Sequence, residues 1–442
     1  MTDNDRAVIT APEKALAAAP TRSNWVLPVS FGLTGFLAAF LLFTIEPLAA
    51  KSLLPTLGGS AAVWNTAMAF FQIVLLLGYL AAHITNTFIK GRARIWVQLA
   101  ILIGPALLLP FAFPSGGPDG SPVAWELSAL SLAVGAPFFA LASFSPALQR
   151  WFSLTGHPRA DDPFFLYAAS NVGSFAGLLA YPFLIEPNLG LTAQAEIFRW
   201  IYFGLVAFAA ALLTRVQPSQ SLRDQRVDRV PWKRRLRWIT WAAVPSFGLL
   251  AVTRHIATDV ASFPLLWVVP LSLYLATYIL SFSARSALMG MIAARAFSLL
   301  AVVALAAASG VLTNLFLATG IPLAILVASG LIAHSRLYSD RPSVQHLTEF
   351  YLWISVGGAV GGMLGAFIAP TIFNSIVEYP LALVATAALL TGEPIRRRAH
   401  WLASIGLFVV LLFIASLSTD VTLVSSAVGA AGILAFHVAG RS

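Results

Sequence analysis

Ten residues in an otherwise apolar chain are of the types that handle a charged solute: Glu46, Lys51, Trp64, Asn65, Gln72, Asn171, Arg254, His255, Asp259 and Trp267. Glu46-Pro47 closes an uncharged run that begins at Trp25, and Lys51 follows. Pro55, Gly58 and Gly59 then break the sequence before a second apolar run carrying Trp64, Asn65 and Gln72. Ionisable groups at the lip of a membrane span are costly to hold there, so they are functional candidates by default. Proline and paired glycines beside them predict a discontinuous helix end, as transporters build around a bound solute. The plainer alternative is an ion pair solvated among lipid headgroups, since charged side chains near a helix end reach the interface cheaply.

The second cluster repeats the first with its signs reversed. Arg254 and Asp259 precede Trp267 as Glu46 and Lys51 precede Trp64. Two halves related by an axis along the membrane normal would set Glu46 against Arg254 and Lys51 against Asp259, as a gate across a central cleft. Asn171 sits within an apolar segment, where it either bonds a neighbouring helix or meets a ligand. Tyr167, Tyr274 and the tryptophans fit an interfacial aromatic belt as well as a site.

Other chemistries find no constellation. There is no cysteine, hence no disulfide, thiolate nucleophile or thiolate metal site. His83, His157, His255, His334, His346, His400 and His437 are scattered, with no HExxH spacing for zinc and no GxSxG elbow elsewhere. The expectation is a non-enzyme without metal or cofactor.

The elements that must position these residues are membrane helices. The chain has 442 residues, 58% hydrophobic and 10% charged, with a mean hydropathy of +0.82. Soluble domains carry about 25% charged residues. A span needs about 20 apolar residues, and about fourteen segments qualify: 25–47, 61–84, 94–113, 123–146, 164–184, 195–214, 237–257, 262–282, 290–309, 314–335, 348–372, 378–391, 400–418 and 420–438. Their continuous runs, without period-two alternation, predict an all-α polytopic protein rather than a barrel.

Basic residues order the spans. With the N-terminus inside, only Lys51, Arg199 and Arg254 of the 27 Lys and Arg fall outside. The positive-inside bias therefore predicts a multi-pass protein with two cytoplasmic termini. The net charge of +9 reads as this bias and not as a nucleic-acid footprint. The polar stretch from Arg215 to Arg237 reads as a cytoplasmic connector touching anionic lipid.

A weak internal repeat suggests two halves. Tyr167, Val172-Gly173 and Gly177 recur as Tyr351, Val356-Gly357 and Gly361, in segments of the same orientation. Same-orientation repeats imply six-helix halves about an axis along the membrane normal. The small residues read as helix-packing faces before ligand contacts. The expected organisation is a cytoplasmic tail (1–24), a first half (25–214), a basic linker (215–236), a second half (237–391) and two further helices (392–442).

Several patches together resemble a known family. Glu46-Pro47, Ala50-Lys51, Leu54-Pro55, Gly58-Gly59-Ser60, Val63-Trp64 and Phe71-Gln72 resemble the opening of the membrane region in the bacterial fused major-facilitator/spermidine-synthase-like family. Leu266 to Tyr274, Arg341-Pro342, His346-Leu347-Thr348, Phe350-Tyr351-Leu352 and Gly357-Gly358 resemble its second half. Members of that family usually carry a soluble aminopropyltransferase-like domain after the membrane region. Here only Ser418, Thr419, Asp420 and one more apolar run follow Leu417, and no GxGxxG loop is present. The resemblance thus implies a major-facilitator-like membrane unit without the synthase activity. Two expectations follow. One is a secondary transporter of a small metabolite, a polyamine or other cationic amine, the amine being suggested by the family name and by Glu46, Glu186 and Asp259. The other is a non-catalytic scaffold for a separate soluble enzyme.

Overall fold

The computed structural model describes residues 25–58, 61–114, 116–215, 229–259, 267–283, 285–308, 315–372 and 378–390. The terminal tail, most of the basic linker and the thirteenth and fourteenth expected spans lie outside the described residues. Among those described, the chain is all helical. It runs through α1 (Val26–Leu57), α2 (Ala61–Phe88), α3 (Ala93–Ala106), α4 (Pro122–Phe152), α5 (Phe164–Asn188) and α6 (Leu191–Arg215). It continues through α7 (Trp232–Asp259), α8 (Val268–Ser281), α9 (Ser286–Ala308), α10 (Leu315–Ser339), α11 (Val344–Ile368) and α12 (Glu378–Leu390). Eight of these rods are long and apolar enough to cross a bilayer, and α3, α8, α9 and α12 are shorter apolar helices. The fold is that of a multi-pass α-helical membrane protein.

Helix ends follow local chemistry. Ser121 caps α4, its hydroxyl accepting from the Ala124 N–H at 3.4 Å, with Pro122 at the first helical position. Helix α3 stops at Ala106, short of the expected residue 113, because Pro110 and Pro114 follow and a proline disfavours helix in the residue before it.

The largest departure from expectation is in α1. It does not end at Glu46-Pro47 but continues through Pro47 and Pro55 to Leu57. It stops at Gly58, whose backbone is left-handed (φ 73°) and whose N–H reaches the Leu54 carbonyl at 2.9 Å. Each proline removes one backbone bond, yet a buried segment without water has no better option than to stay helical. Glu46 therefore lies within a rod and not at its lip.

Close packing uses the paired glycines. A methyl group on Gly173 or Gly177 of α5 would overlap the carbonyls of Phe36 and Phe40 on α1. One on Gly357 or Gly361 of α11 would overlap those of Ile239 and Ala243 on α7. These small faces serve helix approach, the source of association where lipid is as apolar as protein. Helix α2 packs on α11, and α5 on α8, joining the first set of rods to the second.

One end of the bundle gathers the basic loops. Arg92 donates to the Thr214 carbonyl at 3.2 Å, Arg150 to that of Val344 at 3.0 Å, and Arg336 to that of Leu390 at 3.4 Å. Arg341 pairs with Asp162 at 3.5 Å, Arg234 and Arg237 both pair with Asp340 at 3.1 Å, and Arg235 pairs with Glu349 at 2.6 Å. Lys51, Arg199 and Arg254 lie toward the opposite end. This segregation agrees with the charge pattern of the sequence.

Candidate functional site

A cavity of about 280 Å³ lies between the two sets of rods. Helices α1, α2, α4 and α5 line one side, and α7, α8 and α11 line the other. Its wall is mostly apolar and aromatic: Phe43, Trp64, Phe71, Tyr79, Tyr167, Trp267, Tyr274, Tyr278 and Tyr351 all face it. Its one carboxylate is Glu46, and no Asp, Lys, Arg or His lines it among the described residues. Glu46 has no hydrogen-bond or ion-pair partner among the described residues. Gln72, Asn171 and a set of serines supply the remaining polarity.

Most of those polar groups are already anchored. Asn171 donates to the Tyr167 carbonyl at 2.9 Å, within its own helix, which leaves its amide oxygen toward other partners. Ser145 and Ser170 are 3.1 Å apart, and Ser246 donates to the Gly358 carbonyl at 2.8 Å across α7 and α11. Gln72 lies against Gly362, where a Cβ would collide with its amide.

Aromatic contacts lie toward both ends. Toward the basic end, Tyr167 stacks on Tyr351 with centroids 5.0 Å apart and meets Phe282 in a tilted contact at 4.6 Å. The Tyr351 hydroxyl donates to the Gln149 side chain at 2.5 Å. Toward the opposite end, Trp64 and Trp267 meet at 6.4 Å. Polar contacts between the two sets of rods concentrate at the basic end, including His83 with Thr348 at 3.1 Å.

Of the ten candidates, Glu46, Trp64, Gln72, Asn171 and Trp267 come together at this cavity. Lys51, Arg254 and His255 do not line it. Lys51 forms an ion pair with Glu186 of α5, and Arg254 one with the fully buried Glu378 of α12. The expected facing of Glu46 with Arg254 is therefore not formed, and Lys51 takes Glu186 as its partner instead of waiting for Asp259. Both cations find acids on their own set of rods, and two close pairs are better compensated than charges spread across a cleft. The His255 ring lies parallel to Tyr379 at 5.0 Å. The side chains of Asn65 and Asp259 lie outside the described residues.

Histidines remain dispersed. His334 is fully buried, 2.9 Å from the Thr277 hydroxyl and stacked on Tyr278, and His346 contacts Glu349 at 3.1 Å. Among the described residues no three His, Asp or Glu side chains converge as a metal site.

The tyrosines are what sequence reasoning missed. Tyr79, Tyr274, Tyr278 and Tyr351 were belt candidates or unassigned, yet all line the cavity. A signal for them exists in the spacing. The displacement that carries Trp64 to Trp267 also carries Lys51 to Arg254, Phe36 to Ile239 and Phe40 to Ala243. Lys51 and Arg254 thus correspond in place and in role, whereas the order of charges had matched Glu46 with Arg254. Compared with known proteins, the chain matches no family model and no curated protein.

Among the described residues the cavity combines aromatic faces with one carboxylate that has no partner. Carboxylate and aromatic faces both favour positive charge, by ion pairing and by the ring quadrupole.

Proposed function

We propose that the protein is a secondary transporter that moves a small cationic amine across the bacterial inner membrane by alternating access. The observation that carries this reading is Glu46, the one charged residue among the described residues that line an aromatic cavity between two sets of helices. The sets meet chiefly through α2 with α11 and α5 with α8, and alternating access would rock one set against the other across these contacts. The recurring spacings support two six-helix repeats, with two further helices after them. The motif resemblance to the membrane region of the fused major-facilitator/spermidine-synthase-like family points the same way. The basic end is the cytoplasmic end in this reading, and both termini lie there.

Counterflow in proteoliposomes tests the activity. Parental protein loaded with unlabelled amine should accumulate radiolabelled amine, and Glu46→Gln should lower the initial rate at least about a hundredfold while remaining monodisperse. Parental protein that exchanges no amine with any mono-, di- or triamine would end the transport reading.

Orientation has its own test, because the chain contains no cysteine. Single cysteines at Ser115 and Gln220 should respectively be labelled by, and protected from, an impermeant thiol reagent on intact cells. The reverse pattern would invert the topology.

A further inference from the structure

We infer that the cavity admits one positive charge at a time, a compact monovalent ammonium with an apolar body, and that it enters in exchange for the proton of Glu46. This rests on the cation-binding reading above and narrows it. Glu46 is the single acid in the lining among the described residues. The other titratable groups that face the cavity are Tyr79 of α2, Tyr167 of α5, Tyr274 and Tyr278 of α8, and Tyr351 of α11, all neutral near pH 7 in ordinary surroundings. Lys51 is engaged by Glu186 and Arg254 by Glu378, so the nearest cations on α1 and α7 are compensated elsewhere.

Charge balance follows from that inventory. An ionised carboxylate out of water must be protonated or paired. The empty cavity therefore favours the carboxylic acid, and the occupied one a carboxylate–ammonium pair. On binding, the O–H bond of Glu46 breaks, its proton leaves to solvent, and the ammonium takes its place with no net change in cavity charge. A second ammonium on a diamine or triamine finds no second carboxylate. It is desolvated against Leu249, Leu275 and tyrosine faces, which compensate a charge only in part. The volume, about 280 Å³, also suits a compact ligand. Trp64, Trp267 and Tyr274 supply faces for its apolar body.

The test uses purified full-length protein in detergent with phenethylamine, tetraethylammonium, putrescine and spermidine as probes. Binding is read calorimetrically in two buffers of different ionisation enthalpy, which reports proton release. At acidic pH, at least one of the two monovalent probes should bind with release of close to one proton. Its affinity should fall about tenfold per unit of decreasing pH. Putrescine and spermidine should bind at least about tenfold more weakly. Glu46→Gln should lose both binding and proton release, whereas Glu46→Asp should keep both at reduced affinity and so report that the fold is intact. The inference is overturned if neither monovalent probe binds, if putrescine or spermidine binds more tightly, or if Glu46→Gln keeps the parental pH dependence. Monovalent binding without counterflow would sink transport and leave the one-charge site standing. Spermidine counterflow would do the opposite.

Discussion

The two sides of the cavity repeat the same close glycine packing and differ in their lining. The spacing that relates Lys51 to Arg254 and Trp64 to Trp267 also relates Glu46 to Leu249 and Gln72 to Leu275. The spacing that relates Gly173 to Gly357 and Gly177 to Gly361 relates Asn171 to Ser355. All six of these lining positions face the cavity. Packing residues recur because the same helix contacts must be made twice. Lining residues diverge because one carboxylate suffices for one charge, and a second across from it would cost desolvation without a partner. In the repeat proposed here, the first half holds the charge and the second half offers apolar and aromatic surface.

The scaffold side of that comparison should break hardest. Gly361→Leu drives a side chain into the backbone of α7, where nothing flexible can yield. Loss of monodisperse protein on size exclusion is the expected outcome, and Gly177→Leu should do the same through α1. Normal yield from either variant would mean that these glycines are not packing faces.

The lining side should instead change preference. Leu249→Glu places a second carboxylate at the position corresponding to Glu46. It should weaken monovalent probes and strengthen putrescine, shifting their affinity ratio by about 10- to 100-fold, equal to about 1.4–2.8 kcal/mol. An unchanged ratio would show that the two positions do not face a common ligand.

The ion pairs supply the smallest expected effect and the sharpest internal contrast. Arg254 pairs with a Glu378 that is fully buried, whereas Lys51 and Glu186 both remain about one-third exposed. Arg254→Ala strands a buried acid and should cost about 3–5 kcal/mol. Lys51→Ala should cost about 0–1 kcal/mol. Thermal unfolding in detergent reads both, and equal losses would refute the assigned difference in burial.

Much was legible in the residues alone. Long uncharged runs require helices in a bilayer, and the lopsided Lys and Arg require one basic end. Glycines at four-residue spacing announced their packing faces, and Glu46, Trp64, Gln72, Asn171 and Trp267 stood out as polar or aromatic residues in apolar company. Tertiary structure alone decided the rest. It carried α1 through Pro47, which moved Glu46 from a helix lip into a chamber. It gave Lys51 and Arg254 to Glu186 and Glu378, which left Glu46 without a partner among the described residues. It turned Tyr167 and Tyr274 into the cavity wall. The physical reason is common to all three. A membrane helix is apolar around its whole circumference, since lipid and protein interior are equally apolar, so composition says that it spans but not which face turns inward. That choice belongs to the neighbours it packs against.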